Sequence, residues 1–493
     1  MDDLLDSALL DLAGKIRRRE VSPVEVLDHH IRRIEAVNPL INAVIAERYA
    51  SARREAAAAE QRIMSAEDPD DLPPLLGIPF TAKEYIAAEG MPLTGGVWSR
   101  RHVRSPRDAE TIRRLRGAGA LLVGTTNVPE GGLWLETYNR VYGRTCNPWD
   151  ISRTCGGSSG GDGAIVAAGG VPFALGADVG GSIRIPAAFC GVVGHKPTGR
   201  MVPNTGFWPE AEGELSAYLV CGPLTRRVRD VMPLMRILAG PDGVDPVARP
   251  WTLGRPGKVD LRDVVAFPVE DPGPRVRPSM RLTVRKAAGA LADRGATIAE
   301  LPKAALRRAF MIWSSMMTAA GGPSYSELLG GGVPLRTARE LMKALVGRSH
   351  HTVPALLVVA AEGLTRWIPS QVEAMVNAGK ELQAELEDIL GANGVLLLPP
   401  YTRPAPRHHG PLLTPFDFVC TGLFNVLEFP STTVPMGFDR RLPLAVQVIG
   451  RRGNDHLTLA VAESLEESFG GWRRAEPTLR GRQKPPKRPA QAT

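Results

Sequence analysis

Cysteine is scarce in this chain of 493 residues: there are five, at positions 146, 155, 190, 221 and 420, with no C-x-x-C pair among them. An odd, scattered set excludes a disulfide framework and a zinc site as organising features, and it fits a reducing cytoplasm. Long apolar runs are also missing. The N-terminal MDDLLDSALLDLAGKIRRRE opens acidic and never sustains a run of signal-peptide or membrane-span length, so no integral membrane segment is expected. G-x-x-x-x-G-K-[ST], H-E-x-x-H and S-x-x-K do not occur. Their absence removes a phosphate loop, a zincin-type metal centre and a β-lactamase-like serine site. No internal repeat is visible.

What is present is the composition of a globular enzyme, 43% hydrophobic and 23% charged. The 52 glycines and 43 prolines imply many turns in place of long uninterrupted helices. The length predicts two or more domains, or one large α/β domain with insertions. The formal charge of +8 is local. From Trp472 onward seven Lys or Arg stand against Glu476 alone, leaving the body near neutral, which argues against an extended nucleic-acid-binding face. The histidine pairs His29-His30, His350-His351 and His408-His409 read as surface residues, because neighbours on a helix cannot share one face.

Strand and helix patterns alternate through the first half of the chain. Ser22-Pro23-Val24-Glu25 is a capping box that predicts a helix over residues 23–36, and 75–82 reads as a strand that puts Lys83 near its carboxyl end. Residues 120–125 and 171–179 read as buried strands, 163–168 and 186–193 as helices, and 195–265 as loop-rich with one helix over 228–238. Residues 303–391 read as mostly helical, with a second capping box, Ser370-Gln371-Val372-Glu373, ahead of a helix to Leu390. Strands are expected over 298–301, 395–398, 431–434 and 444–449. This rhythm predicts an α/β fold with a mixed sheet covered by helices. The apolar stretch 353–361 with Trp367-Ile368 is too short to span a bilayer; it reads as core, with a channel lid or a membrane-contacting surface as the alternatives.

Two glycine-flanked serines are the chemical focus: Ser158 in Cys155-Gly156-Gly157-Ser158-Ser159-Gly160-Gly161, and Ser182 in Asp178-Val179-Gly180-Gly181-Ser182. Glycine on both sides allows a substrate to approach bare backbone N–H groups. Gly77-Ile78-Pro79-Phe80-Thr81-Ala82-Lys83 adds a lysine at the end of an apolar run, where burial can lower its pKa. A G-x-S-x-G elbow with Ser159 as nucleophile is the rival pattern. It needs a buried strand directly before it, and the polar, proline-broken 147–154 does not read as one.

These runs, with GTTNVPEGGLWLETYNRVYGRTCNPWD (124–150) and LPLAVQVIGRRGNDHLTLAVAESLE (442–466), resemble the amidase signature hydrolases. The run 194–226 is most similar to the branch containing the fatty-acid amide hydrolases. The resemblance implies one large α/β/α domain around a twisted mixed sheet and a Ser-Ser-Lys triad, with Ser182 as nucleophile, Ser158 as bridge and Lys83 as base. It implies an oxyanion hole from the N–H groups of Val179, Gly180, Gly181 and Ser182, and a cis peptide bond at Gly157-Ser158. The chain departs from the expected pattern at Gly131-Gly132, where a bulkier pair is usual, and at Cys155, where proline is usual.

The expected activity is hydrolysis of linear carboxamides, with esters, anilides or carbamates as further substrates, through an acyl-enzyme and without cofactor or metal. The alternative is a glutamine-dependent amidotransferase subunit that works only with a partner chain. Expected partners are a small-molecule amide, no nucleic acid and, compatibly, a second copy in a homodimer. Residues 1–475 are read as the amidase domain, with its signature core at about 75–200 and a variable, substrate-side helical region at about 303–391. Residues 476–493 are read as a basic, proline-rich disordered tail.

Overall fold

The computed structural model describes the chain except residues 1, 274, 303–305, 307, 323, 366–368 and 479–493. Eleven strands form one sheet: β1 (Val44–Glu47), β2 (Pro79–Lys83), β3 (Leu121–Thr126), β4 (Phe173–Asp178), β5 (Val193–Lys196), β6 (Val220–Thr225), β7 (Val265–Pro268), β8 (Thr297–Ile298), β9 (Gly394–Leu398), β10 (Ser431–Asp439) and β11 (Leu442–Gly450). Their order across the sheet is β1-β3-β2-β4-β6-β5-β10-β11-β9-β7-β8. β2 runs parallel to both β3 and β4, and β7 to both β8 and β9, while the strands between these groups pair antiparallel. The mixed α/β sheet expected from the sequence is therefore present.

Helices bury both faces. On one, the helix Pro23–Ile41 lays Ile31, Ile34 and Val37 against Ile165 and Val166 of the helix Gly160–Ala167. Small residues let that second helix sit close to the sheet: a Cβ on Gly161 would stand 2.6 Å from the Asn127 nitrogen and 2.8 Å from the Ala43 oxygen. The other face carries an aliphatic core in which Phe80 of β2 stacks on Phe173 of β4, ring centroids 5.2 Å apart. Ser22 caps its helix as its pattern predicts, its hydroxyl accepting from the Glu25 N–H at 3.1 Å.

Within 195–265, read as loop-rich with one helix, the structure adds the central strand β6 and the last two residues of β5. β6 is Val-Cys-Gly-Pro-Leu-Thr, whose Gly222-Pro223 argues against a strand by propensity; complete burial between β4 and β5 overrides it. The helix placed over 186–193 runs from Arg184 to Cys190, stops at Gly191 in the left-handed region (φ 73°), and gives way to β5. Ser370 lies inside the helix Pro369–Leu390 instead of capping it. The strand expected over 298–301 is the two-residue β8.

The apolar stretch 353–361 opens the helix Val353–Thr365 and buries only one of its faces: Ala355, Leu356 and Val359 are buried, while Val353 and Leu357 are exposed. Trp367 and Ile368 lie outside the described residues. Among the described residues no helix is long and apolar enough to cross a membrane. At the chain end Pro477 is buried and Glu476 pairs with Arg33 at 2.9 Å.

Candidate functional site

The carboxyl ends of the parallel strands β2 and β4 create the site, because their register, Ala82 opposite Leu175, brings Lys83 at the end of β2 level with the last residues of β4, 176–178. Crevices at such strand ends are where α/β sheets bind ligands. Lys83 closes β2 with its side chain fully buried, and its Nζ donates to Ser158 Oγ at 2.7 Å and to the Ala177 carbonyl at 3.2 Å. Nζ also lies 4.3 Å from the centre of the Tyr85 ring. Burial pushes the Lys83 ammonium down from its ordinary 10.5 to about 7, against the opposing pull of Asp162 and Asp178.

Ser158 is 2% exposed and follows a cis peptide bond from Gly157, as the resemblance implies. Ser182 lies beside it, joined through the main chain: the Ser159 N–H donates to the Ser182 carbonyl at 3.0 Å. Val179, Gly180 and Ser182 are half-buried, so this is the part of the site a substrate can reach. Ser159 is fully buried, and its hydroxyl is held by the Ala177 main chain at 3.2 and 3.3 Å. A serine so enclosed cannot serve as the exposed nucleophile of an elbow.

The turn 179–182 is shaped by Asp178, a residue present in the sequence run but given no role there. Its carboxylate accepts from the N–H groups of Gly181 at 2.7 Å and Ile183 at 3.0 Å, and pairs with the Arg184 guanidinium at 2.9 and 3.0 Å. Despite complete burial, Arg184 holds the Asp178 carboxyl well below the usual carboxylate range. Arg184 in turn donates to the Thr421 carbonyl at 2.9 Å and to Asn425 Oδ1 at 2.5 Å. The Gly181 N–H, counted among the oxyanion donors by resemblance, is thus engaged by Asp178. Those of Val179, Gly180 and Ser182 make no hydrogen bond among the described residues. Only glycine fits at 181: φ is 120°, and a Cβ would collide with the Thr421 side chain at 2.2 Å.

Asp162 is a second residue the motif contained without revealing its role. Its Oδ1 accepts from Thr126 Oγ1 at 2.6 Å, and its Oδ2 is buried with no partner among the described residues. Burial raises its carboxyl to about 7, with the nearby Lys83 charge pulling the other way.

Walls come from regions distant in sequence. Trp313 donates its Nε1–H to the Val179 carbonyl at 3.1 Å and meets Phe418 edge-on at 4.8 Å, and a Cβ on Gly180 would touch both rings. Gly132 faces the reacting centre: a Cβ there would lie 3.6 Å from Tyr85 and 3.9 Å from Ser158 Oγ. The two-glycine departure from the expected pattern therefore leaves space beside Tyr85 and Ser158. The preceding Glu130 carboxylate is buried against His351 Nδ1 and the Thr352 N–H, both at 2.7 Å, tying the helical region to this wall. The surface reading of the histidine pairs is corrected accordingly. His30 and His351 are buried, and His408 contacts Glu136 at 2.7 Å, so one member of each pair turns inward. Cys155 and Cys190 are buried thiols that burial raises far above reactivity.

The sequence profile of the Amidase family matches residues 25–459. Fatty-acid amide hydrolase 2-B of Danio rerio is 40% identical over 485 residues, covering 95% of this chain and 90% of that protein. A glutamyl-tRNA(Gln) amidotransferase subunit of Roseiflexus sp. (strain RS-1) is 30% identical, covering 93% and 95%. The solved structure of 6-aminohexanoate cyclic dimer hydrolase complexed with substrate has a TM-score of 0.77 and 28% identity, covering 96% of this chain and 99% of that one.

Proposed function

The chain belongs to the amidase signature family and is a hydrolase acting on amides, and from that premise we propose that it cleaves linear carboxamides through an acyl-enzyme on Ser182. One observation carries the reading: a buried lysine, lowered to about 7, bonded at 2.7 Å to a serine whose neighbour in space is a second, accessible serine. A lysine can act as a base only when neutral, and burial supplies that form near pH 7.

Neutral Lys83 takes the proton of Ser158, which takes that of Ser182 as its Oγ attacks the carbonyl carbon. The carbonyl π pair moves to oxygen, where the free N–H groups of Val179, Gly180 and Ser182 face it; one such donor contributes about 3 to 4 kcal/mol. Collapse breaks the C–N bond, and the departing nitrogen takes a proton from Ser158, which is refilled from the Lys83 ammonium. Water, deprotonated through the same relay, then releases the acid. Asp178 keeps the turn in place, and Asp162 sets the charge around Lys83. The aromatic wall of Trp313 and Phe418 and the space beside Gly132 suit an apolar acyl or aryl group. The amidotransferase reading has the weaker support, since the fatty-acid amide hydrolase match is stronger in identity at similar coverage.

Purified chain alone should hydrolyse a p-nitroanilide, and a fluorophosphonate probe should label Ser182. Inactivity without a partner would favour the amidotransferase reading, and labelling at Ser159 the elbow.

A further inference from the structure

A cleft of about 730 Å³ opens away from the triad; Lys83, Ser158 and Ser182 do not line it. Six arginines do: Arg153, Arg277, Arg403, Arg407, Arg440 and Arg441, against the carboxylates of Asp150 and Asp439. Four separate segments deliver them. Arg153 stands on the short strand Asp150–Thr154, and Arg277 caps the helix Pro278–Ala292. Arg403 and Arg407 come from the proline-rich loop after β9, and Arg440-Arg441 form the two-residue turn between β10 and β11, where Asn-Gly would be the ordinary choice.

Convergence of cations from four segments is unfavourable unless something answers the charge. Two have carboxylate partners, Arg153 with Asp150 at 3.3 Å and Arg403 with Asp417 at 3.0 Å. Arg277, Arg407, Arg440 and Arg441 have none among the described residues, and all four are exposed to solvent. Six guanidinium groups against two lining carboxylates leave a formal +4, or +3 when Asp417 behind Arg403 is counted. The remainder of the body is near neutral, so this density is not general basicity. It is also confined to one cleft, which does not suit an extended polymer.

Guanidinium forks pair bidentately with phosphate oxygens. The start of the helix Pro278–Ala292, whose Ser279 lines the cleft, adds its partial positive charge. Trp149, fixed by its Nε1–H to the Cys190 carbonyl at 2.7 Å, supplies an aromatic edge. We propose that this cleft binds a small anion carrying two or more phosphoryl groups, at a site separate from the hydrolytic one.

Tripolyphosphate titrated into the full-length protein at low salt should bind saturably and raise the melting temperature by a few degrees, with affinity falling as salt is added. Arg440→Ser/Arg441→Ser should weaken binding at least tenfold, as should Arg277→Ser from a different segment, while p-nitroanilide turnover stays unchanged. Arg54→Ser/Arg62→Ser on an exposed helix should leave binding intact. Phosphatidylcholine vesicles with and without phosphatidylinositol bisphosphate distinguish the source. Capture by the charged vesicles alone would assign the phosphoryl groups to a headgroup, and tripolyphosphate binding assigns them to a free anion. No binding to either, or binding lost equally in the Arg54/Arg62 control, overturns the proposal.

Discussion

The signature core and the helical region after residue 303 obey different physical rules. Around β2 and β4, Lys83, Ser158, Asp162, Asp178 and Arg184 are all buried within 2% of full enclosure, and hydrogen bonds fix the side chains at their reactive or structural ends. The helical region presents Phe310, Met311, Met342, Leu345 and Val346 to solvent, and touches the site through a few contacts such as Trp313 and Glu130–His351. In the proposed reading, chemistry belongs to the buried network, and selectivity to a wall that can be altered without dismantling it. A buried network fails when one member is lost, because the partner is left uncompensated in a medium that solvates it poorly. A half-exposed wall loses area and, at Trp313, one hydrogen bond.

Substitutions in each region test that contrast. Ser182→Ala should lower kcat on an anilide by about 10⁴-fold or more with no change in melting temperature, since it removes the proposed nucleophile and little packing. Comparable residual activity would mean that another group forms the covalent bond. Arg184→Met leaves Asp178 as an unpaired buried carboxylate, a loss of about 3 to 5 kcal/mol. Denaturant unfolding should register it, and an unchanged midpoint would show that the network is not cooperative.

Trp313→Ala should raise KM for aryl or long-chain amides by about tenfold, the order expected for losing part of a large buried contact, while acetamide-sized substrates change less than about threefold. If large and small amides fall together, the indole acts by holding the Val179 turn instead of by shaping the wall. The smallest effect is expected from Asp162→Asn. The carboxylate raises the Lys83 pKa, so its removal should shift the rising limb of the pH–rate profile toward acid by about one unit or less. A shift toward base would contradict the assigned direction.

Lys83, Ser158 and Ser182 drew attention because they sit in glycine-spaced or apolar runs that resemble the family's signature, and the fold brings the three together. Asp162, Asp178 and Arg184 stood in the same runs, yet nothing local separates an acid that shapes a turn from one on a surface. The partners that define Arg184, Thr421 and Asn425, lie more than 230 residues away. β6 escaped notice because Gly222-Pro223 is a poor strand signal that only burial on both sides overrules. The histidine pairs misled for a related reason. Only His29-His30 lies on a helix, where divergence lets one ring turn inward as readily as it sends both to solvent; the other two pairs sit in bends and turns, to which the helix argument does not apply. Gly131-Gly132 was visible as a departure, whereas its position 3.9 Å from Ser158 Oγ, counted from the missing Cβ, required the fold.

The central claim is that Lys83 works twice through Ser158, first to activate Ser182 and then to deliver the leaving group's proton. Its most direct test is the pH–rate profile of the wild type and Lys83→Ala on a matched amide and ester. Because the neutral lysine is the active form and its folded pKa is lowered to about 7, wild-type amide hydrolysis should rise about tenfold per pH unit below 7 and level off above it. Lys83→Ala should lose that limb and slow the amide at least tenfold more than the ester, about 1.4 kcal/mol of differential transition-state stabilisation. Equal losses on both substrates, with no ionisation near 7 in the wild type, would make Lys83 a structural residue and contradict the account.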